Sequence, residues 1–123
     1  LKKISFSGGA AQVLGTVFNN GGRPSFATWS GETIVYAAGA TSGLSRVSAL
    51  GGQSSAITTI NVASRAFVHH WPIFLKDGSH FIYMTFEGGT GGALVLSSLM
   101  DSNSRALMSW GPSALGSTLG YMP

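Results

Sequence analysis

The chain repeats itself. Leu1-Lys-Lys-Ile-Ser-Phe-Ser-Gly-Gly9 and Leu44-Ser-Arg-Val-Ser-Ala-Leu-Gly-Gly52 share one pattern at an offset of 43 residues, and Leu14 and Ile57 keep that offset. A looser copy, Ala93-Leu-Val-Leu-Ser-Ser-Leu-Met-Asp101, lies 49 residues beyond the second. A second unit recurs as well. Pro24-Ser-Phe26 followed by Thr33-Ile-Val-Tyr36 returns as Pro72-Ile-Phe74 followed by His80-Phe-Ile-Tyr83, at offsets of 48 and 47. Units of this length are the building blocks of repeat architectures, in which each buries its apolar surface against its neighbours. The apolar bursts within each unit are short, rich in Ile, Val, Phe and Tyr, and bounded by Gly or Asp, which reads as strand. Glycines interrupt every window that could sustain a helical stripe.

Composition agrees. Of 123 residues, 18 are glycine and only 9% are charged, while 44% are hydrophobic. A charged helical bundle, a coiled coil and a solvated tail are excluded, and strands buried on both faces and joined by glycine turns are favoured. Cysteine is absent, which excludes disulfide frameworks, thiolate zinc sites, Cys nucleophiles and iron–sulfur clusters. Four bursts per period of about 43 to 50 residues is the scale of a β-propeller blade. With strands lettered a to d from the axis outward, Leu1–Phe6 is expected as c and Ala11–Val17 as d. A full blade follows in Ser25–Thr28, Thr33–Ala37, Ser42–Ala49 and Ser54–Thr59. The next comprises Ile73–Leu75, His80–Phe86, Gly92–Leu99 and Arg105–Ser109, and Ser113–Tyr121 begins another strand a. The chain is thus one all-β unit: a half blade over 1–20, blades over 21–62 and 63–110, and the start of a further blade over 111–123. Asp77-Gly78 is a hairpin signal, and Gly43, Gly92 and Ala93 suit backbones that approach closely.

Gly43-Leu-Ser-Arg-Val-Ser-Ala-Leu-Gly-Gly52 and, above all, His70-Trp-Pro-Ile-Phe-Leu-Lys-Asp-Gly-Ser-His-Phe-Ile-Tyr83 resemble the WD40-like, TolB-type propeller repeat. The resemblance runs from Leu1 to about Ser109. The first full blade departs from it, with Trp29-Ser-Gly-Glu32 where the family has Pro-Asp-Gly, and the end past Trp110 matches poorly. The resemblance implies a binding or scaffolding architecture, often one part of a larger bacterial protein, with no shared catalytic motif and usually six blades.

About 11 strands make just under three blades, and such a wedge presents open edges and an apolar face at both ends. The N-terminal c–d pair lacks the a and b strands that a partner's C-terminus could offer. The expectation is a homodimer that closes one six-bladed ring. The alternatives are a trimer with differently paired half blades, and a fragment whose missing blades lie in a parent protein. The start, Leu-Lys-Lys-Ile-Ser-Phe, lacks both a signal peptide's apolar core and an initiator methionine, which fits a trimmed chain. No stretch reaches the ~18 apolar residues of a membrane helix, and a soluble chain is expected.

His69 and His70 are placed just before strand a of the second full blade, a loop that in propellers opens on the axial channel. Arg23 holds the equivalent place in the first. Arg23, His69, His70 and Trp71 are therefore the candidate ligand-binding residues, for a small anion, with His69 and His70 as candidate ligands for a divalent metal, Zn or Ca. The structural alternative is that His70 and Trp71 anchor the loop. Zinc demands nitrogens about 2.0–2.1 Å away, so only neighbouring side chains could share it. Glu32, Asp77, Glu87 and Asp101 all fall in expected hairpin turns, with Asn19, Asn20 and Asn61 near loop mouths, which is a poor calcium set. His80 is expected as a solvent-facing turn residue. Trp29, Trp71 and Trp110, with Phe26, Phe74, Phe81, Tyr36 and Tyr83, are expected to pack between blades. Gly88-Gly-Thr-Gly-Gly92 lacks the Lys and helix of a phosphate loop and reads as a hairpin. The net charge of +3 comes from scattered basic residues, which do not interleave with aromatics, so nucleic acid is not an expected partner. The functional expectation is a non-catalytic propeller module binding at its axial face. The alternative is a small hydrolase of activated or anionic esters such as phosphoesters, with His69 and His70 as metal ligands or general base and Arg23 stabilising negative charge.

Overall fold

A computed structural model describes residues 1–17, 26–39, 41–60, 66–87 and 91–111. These residues form ten strands in three antiparallel sheets, with no helix among them. Strands β1 (Lys2–Lys3) and β2 (Gln12–Val13) make a small hairpin sheet. Strands β3 (Ala27–Ser30), β4 (Thr33–Ala37), β5 (Leu44–Ser48) and β6 (Ser55–Ala56) form a four-stranded meander in chain order. Strands β7 (Ala66–Phe74), β8 (His80–Glu87), β9 (Gly92–Ser98) and β10 (Ser104–Trp110) form a second. Among the described residues no helix is long and apolar enough to cross a membrane.

The 43-residue repeat survives at the level of single hydrogen bonds. Lys2 pairs with Val13 and Lys3 with Gln12; their counterparts Ser45 and Arg46 pair with Ala56 and Ser55. Leu14 N donates to Leu1 O at 2.9 Å, as Ile57 N does to Leu44 O at 2.9 Å. Gly8 N donates to Ser5 O and Gly51 N to Ser48 O, both at 3.0 Å. The Gly-Gly pairs that mark the repeat have φ of 90° and 104° in the first copy and 100° and 111° in the second. That left-handed backbone, which closes the turn between paired strands, is why glycine recurs there.

Strand β4 falls on Thr33–Ala37 as the sequence predicts, and β8, β9 and β10 lie within a residue of expectation. Strands β1, β2, β5 and β6 are shorter than the expected Leu1–Phe6, Ala11–Val17, Ser42–Ala49 and Ser54–Thr59, and both strands a start elsewhere. The first strand a is Ala27–Ser30 rather than Ser25–Thr28, leaving Gly31-Glu32 as a two-residue turn with Gly31 at φ 55°. Strand β7 begins at Ala66 rather than Ile73, because it pairs along nearly all of β8. Register shifts between Ala66 and Val68 and between His70 and Ile73 break its alternation, so no period of two is visible in the sequence. The segment Ser113–Tyr121 lies outside the described residues.

The sheets stack face on face. Val35, Ala37 and Leu44 of the first meander pack against Phe81, Tyr83, Ala93 and Val95 of the second, with Ile57 and Phe74 beside them. On its other face the first meander buries Ile34, Tyr36, Ala38, Val47 and Ala49 under Leu1 and Leu14 of the hairpin sheet. The hairpin is also tied down by Lys3 Nζ on Ala49 O and by Gln12 Nε2 on Leu50 O at 3.2 Å. Gly92 shows how closely strands approach within a sheet. A Cβ there would lie 2.4 Å from both Thr85 O and the Trp110 ring. Gly92→Ala is therefore expected to cost about 1–3 kcal/mol, read as a lower urea midpoint with an unchanged m value.

Candidate functional site

Three of the four sequence-based candidates, His69, His70 and Trp71, lie on β7, the strand that the second meander sets against the first. Phe74 N donates to Thr28 Oγ1 at 3.1 Å, fixing β7 on β3. Consecutive strand residues point to opposite faces, and the pairings of His69 with Thr85 and His70 with Met84 separate the two rings accordingly. Both histidines are buried within the strand and do not sit in an open loop before it.

His69 faces the first meander. Its Nδ1 lies 2.7 Å from Thr58 Oγ1, and its ring stacks on Tyr83 with centroids 4.8 Å apart. Thr58 Oγ1 also accepts the N–H of Leu44 at 2.7 Å, so one hydroxyl ties His69 to the start of β5. Burial, and secondarily the neighbouring His70, lower its pKa to about 4. His70 is on the other face, edge-on to Phe26 at 6.2 Å and Phe86 at 6.3 Å, and tilted against Trp71 at 5.5 Å. The two imidazoles do not converge, and no group of three or more His, Asp or Glu among the described residues is placed to hold a metal ion.

Trp71 has φ 51°, the single positive-φ residue other than glycine among those described. It sits in the bulge where Trp71 and Pro72 together oppose Tyr83, a conformation that costs about 1–2 kcal/mol for an L-residue. Its indole bridges the sheets, 5.3 Å from Phe26 of the first and 5.4 Å from Phe86 of the second, and Phe86 in turn meets Trp110 at 6.1 Å. Trp71 also keeps 38% of its surface exposed, so it is both wedge and accessible face.

No protein-family model matches the chain, and neither does any curated protein or solved structure. Chemistry must therefore be read from placement alone. Arg23, Asn19, Asn20 and Asn61 lie outside the described residues. Glu32 and Asp101 are exposed in turns, as predicted, but Glu87 ends β8 as a buried residue instead of lying in a hairpin turn. Trp29 also departs from expectation. It is 56% exposed, with its indole N–H on Gly31 O at 2.8 Å, and takes no part in the packing between sheets. His80 opens β8 beside the Asp77-Gly78 turn, half-buried, with Nδ1 2.5 Å from Asp77 Oδ2. Sequence reading placed His80 but not its carboxylate partner; the spacing Asp77-x-x-His80 across a turn was the available signal.

Two measurements check this arrangement. Because the unfolded chain protonates a histidine near the ordinary value of 6.5 and folded His69 only at about 4, the unfolded state binds more protons between those values. Stability should hold above pH 6.5 and fall as the pH drops toward 4, by an amount on the order of 3 kcal/mol; denaturant titrations of His69→Gln should lack most of that slope. At Trp71, alanine and glycine both remove the indole, but only glycine relieves the positive φ. Trp71→Gly should accordingly be at least as stable as Trp71→Ala by thermal melting, the reverse of their usual order within strands, where glycine is about 0.5–1 kcal/mol worse.

Proposed function

We propose that the chain is a β-propeller segment, a binding and scaffold module that two copies complete as a six-bladed ring, with ligand or partner bound at the axial face. The observation that carries the reading is a pair of uncovered surfaces that match a covered one. Strand pairing makes Ala37–Leu44 of the first meander equivalent to Met84–Leu94 of the second, and Val35 equivalent to Ile82. Val35, Ala37 and Leu44 are wholly buried beneath the next sheet. Ile82, Met84 and Leu94 are only partly buried, and Ile73 and Met108 beside them are 55% and 44% exposed.

At the other end, the 43-residue offset makes Ile4 and Phe6 equivalent to Val47 and Ala49, which are buried against the preceding hairpin. Ile4 is 63% exposed and Phe6 fully so. The forward face of one copy therefore has the apolar character to receive the backward face of another, repeating a contact each chain already makes twice. Leaving such surface in water forfeits about 25 cal/mol per Å². Two copies related by a two-fold axis make the contact twice and leave no face over. Strand a of each blade, β3 and β7, is innermost in this ring, and Trp71 is the candidate with surface to offer a ligand. His69 and His70 then flank or support it.

Sedimentation equilibrium should give twice the 12.7 kDa of one chain. Met84→Asp and Leu94→Asp put a charge on a surface that is only half-buried within the chain, so they should shift the protein to monomer while its far-ultraviolet spectrum stays that of folded β-sheet. A wild-type monomer at all accessible concentrations would sink the proposal.

A further inference from the structure

The two meanders carry the same groove at the same end. In the first it is lined by Thr33, Arg46, Ser48, Gln53 and Ser55, with Glu32 alongside; in the second by His80, Leu96, Ser98, Asn103 and Arg105, with Asp101 alongside. The register makes them counterparts. Thr33 pairs with Ser48 and Arg46 with Ser55, as His80 pairs with Ser98 and Leu96 with Arg105. The first groove remains open although the second meander is stacked on that sheet, so a further sheet stacked in the same manner leaves the second groove open too. The difference between them is chemical. His80 stands where the first groove has Thr33, and a carboxylate holds it.

That hold is made at three points. Asp77 Oδ1 accepts the N–H groups of Ser79 at 3.0 Å and His80 at 2.9 Å, and Oδ2 lies 2.5 Å from His80 Nδ1. These hydrogen bonds keep the Asp77 carboxyl ionised, with its pKa drawn down to about 2. A carboxylate on Nδ1 holds a proton there, so that the neutral ring carries its lone pair on Nε2. Asp101 is engaged by the Asn103 N–H at 2.8 Å. The charged groups around the imidazole are thus Asp77, Asp101 and Arg105, which sum to one negative charge when the ring is neutral. That balance disfavours a substrate carrying its own negative charge and suits a neutral one.

We propose that this groove, of about 200 Å³, is an ester-hydrolysing site in which His80 Nε2 is the nucleophile toward neutral, activated aryl esters of small carboxylic acids. The Nε2 lone pair attacks the carbonyl carbon, and the oxyanion that develops is met by the cationic side chain lining the groove, Arg105. Collapse breaks the bond to the aryloxide, which departs with its electron pair. The acylimidazolium is stabilised by the Asp77 charge at Nδ1. Water then adds to the acyl carbon, the carbon–nitrogen bond breaks, Nε2 regains its lone pair, and one proton passes to solvent with the free acid. His80 is the catalytic residue and Asp77 a positioning residue. The site is built within one chain, so its failure would leave the ring assembly untouched.

The test is hydrolysis of 4-nitrophenyl acetate by the full chain, at concentrations where its association state has been measured. The wild type should exceed equimolar N-acetylhistidine amide by about tenfold or more, with an acyl adduct on His80 in the mass spectrum of the quenched protein. His80→Ala and His80→Gln should fall to the rate of the free imidazole or below. Asp77→Asn retains an oxygen acceptor for the turn, and should lower kcat roughly tenfold with KM unchanged. A wild-type rate no greater than that of the free imidazole, an unaltered rate in a folded His80 variant, or an adduct located elsewhere would each overturn the assignment.

Discussion

The contact of Val35, Ala37 and Leu44 with Phe81, Tyr83, Ala93 and Val95 holds the two meanders in place. Neither meander is self-sufficient. Strand β6 has two residues, β3 has four, and alternate residues along β4 are apolar toward both faces. A small antiparallel sheet of this kind is marginal in water until one face is covered, and here both faces need cover. Each fully buried side chain of the Val, Leu or Phe kind contributes about 1.5–3 kcal/mol, whereas a ladder hydrogen bond contributes about 0.5–1.5 net. Stacking between sheets therefore outweighs pairing within them, and the strand hydrogen bonds follow where packing puts the backbones.

The bulge in β7 is a consequence of that stacking. His69 pairs with Thr85 and Phe74 with Phe81, positions that both face the first meander. Yet 69 and 74 differ by an odd number, so an uninterrupted strand would send one of them to the opposite face. The extra residue between His70 and Ile73 corrects the parity, and Trp71 absorbs the correction in its backbone. Its indole contacts, with Phe26 on one side and Phe86 on the other, offset the conformational cost. Strain, bulge and inter-sheet aromatic packing at Trp71 are thus one feature.

This also explains what the sequence disclosed and what it hid. The Leu1 and Leu44 repeats were legible because identical turns need glycine at identical places and identical stacking needs Leu or Ile at positions 14 and 57. Strand β4 was legible because Gly31 and the run Ile34-Val-Tyr36 bound it clearly. The first half of β7 was not, since two bulges erase its alternation and a His-His pair looks like loop. The candidate site suffered for the same reason: the histidines expected at an open mouth are inside a strand, with His69 spent on Thr58. The Asp77 partnership of His80 depends on a turn whose residues were legible but whose side-chain geometry was not.

The scarcity of charge has the same origin. When both faces of a sheet are stacking surfaces, charged side chains are confined to turns, to the short hairpin and to outer strands. Glu32, Asp77 and Asp101 occupy turns, Lys2 and Lys3 the hairpin, and Arg105 the last strand of the second meander; among the described residues the exceptions are Glu87, buried at the end of β8, and Arg46, exposed on β5. A charged fraction of 9% then reflects architecture and carries no message about an acidic or basic partner. The same confinement directs where reactive chemistry can sit. Within the stack an imidazole is desolvated and held neutral, as at His69, and is shielded from substrate as well. Only at strand ends does a titratable side chain meet water and a second charged group together, so a reactive site on this scaffold belongs at the turns, as at His80, and not along the buried strands.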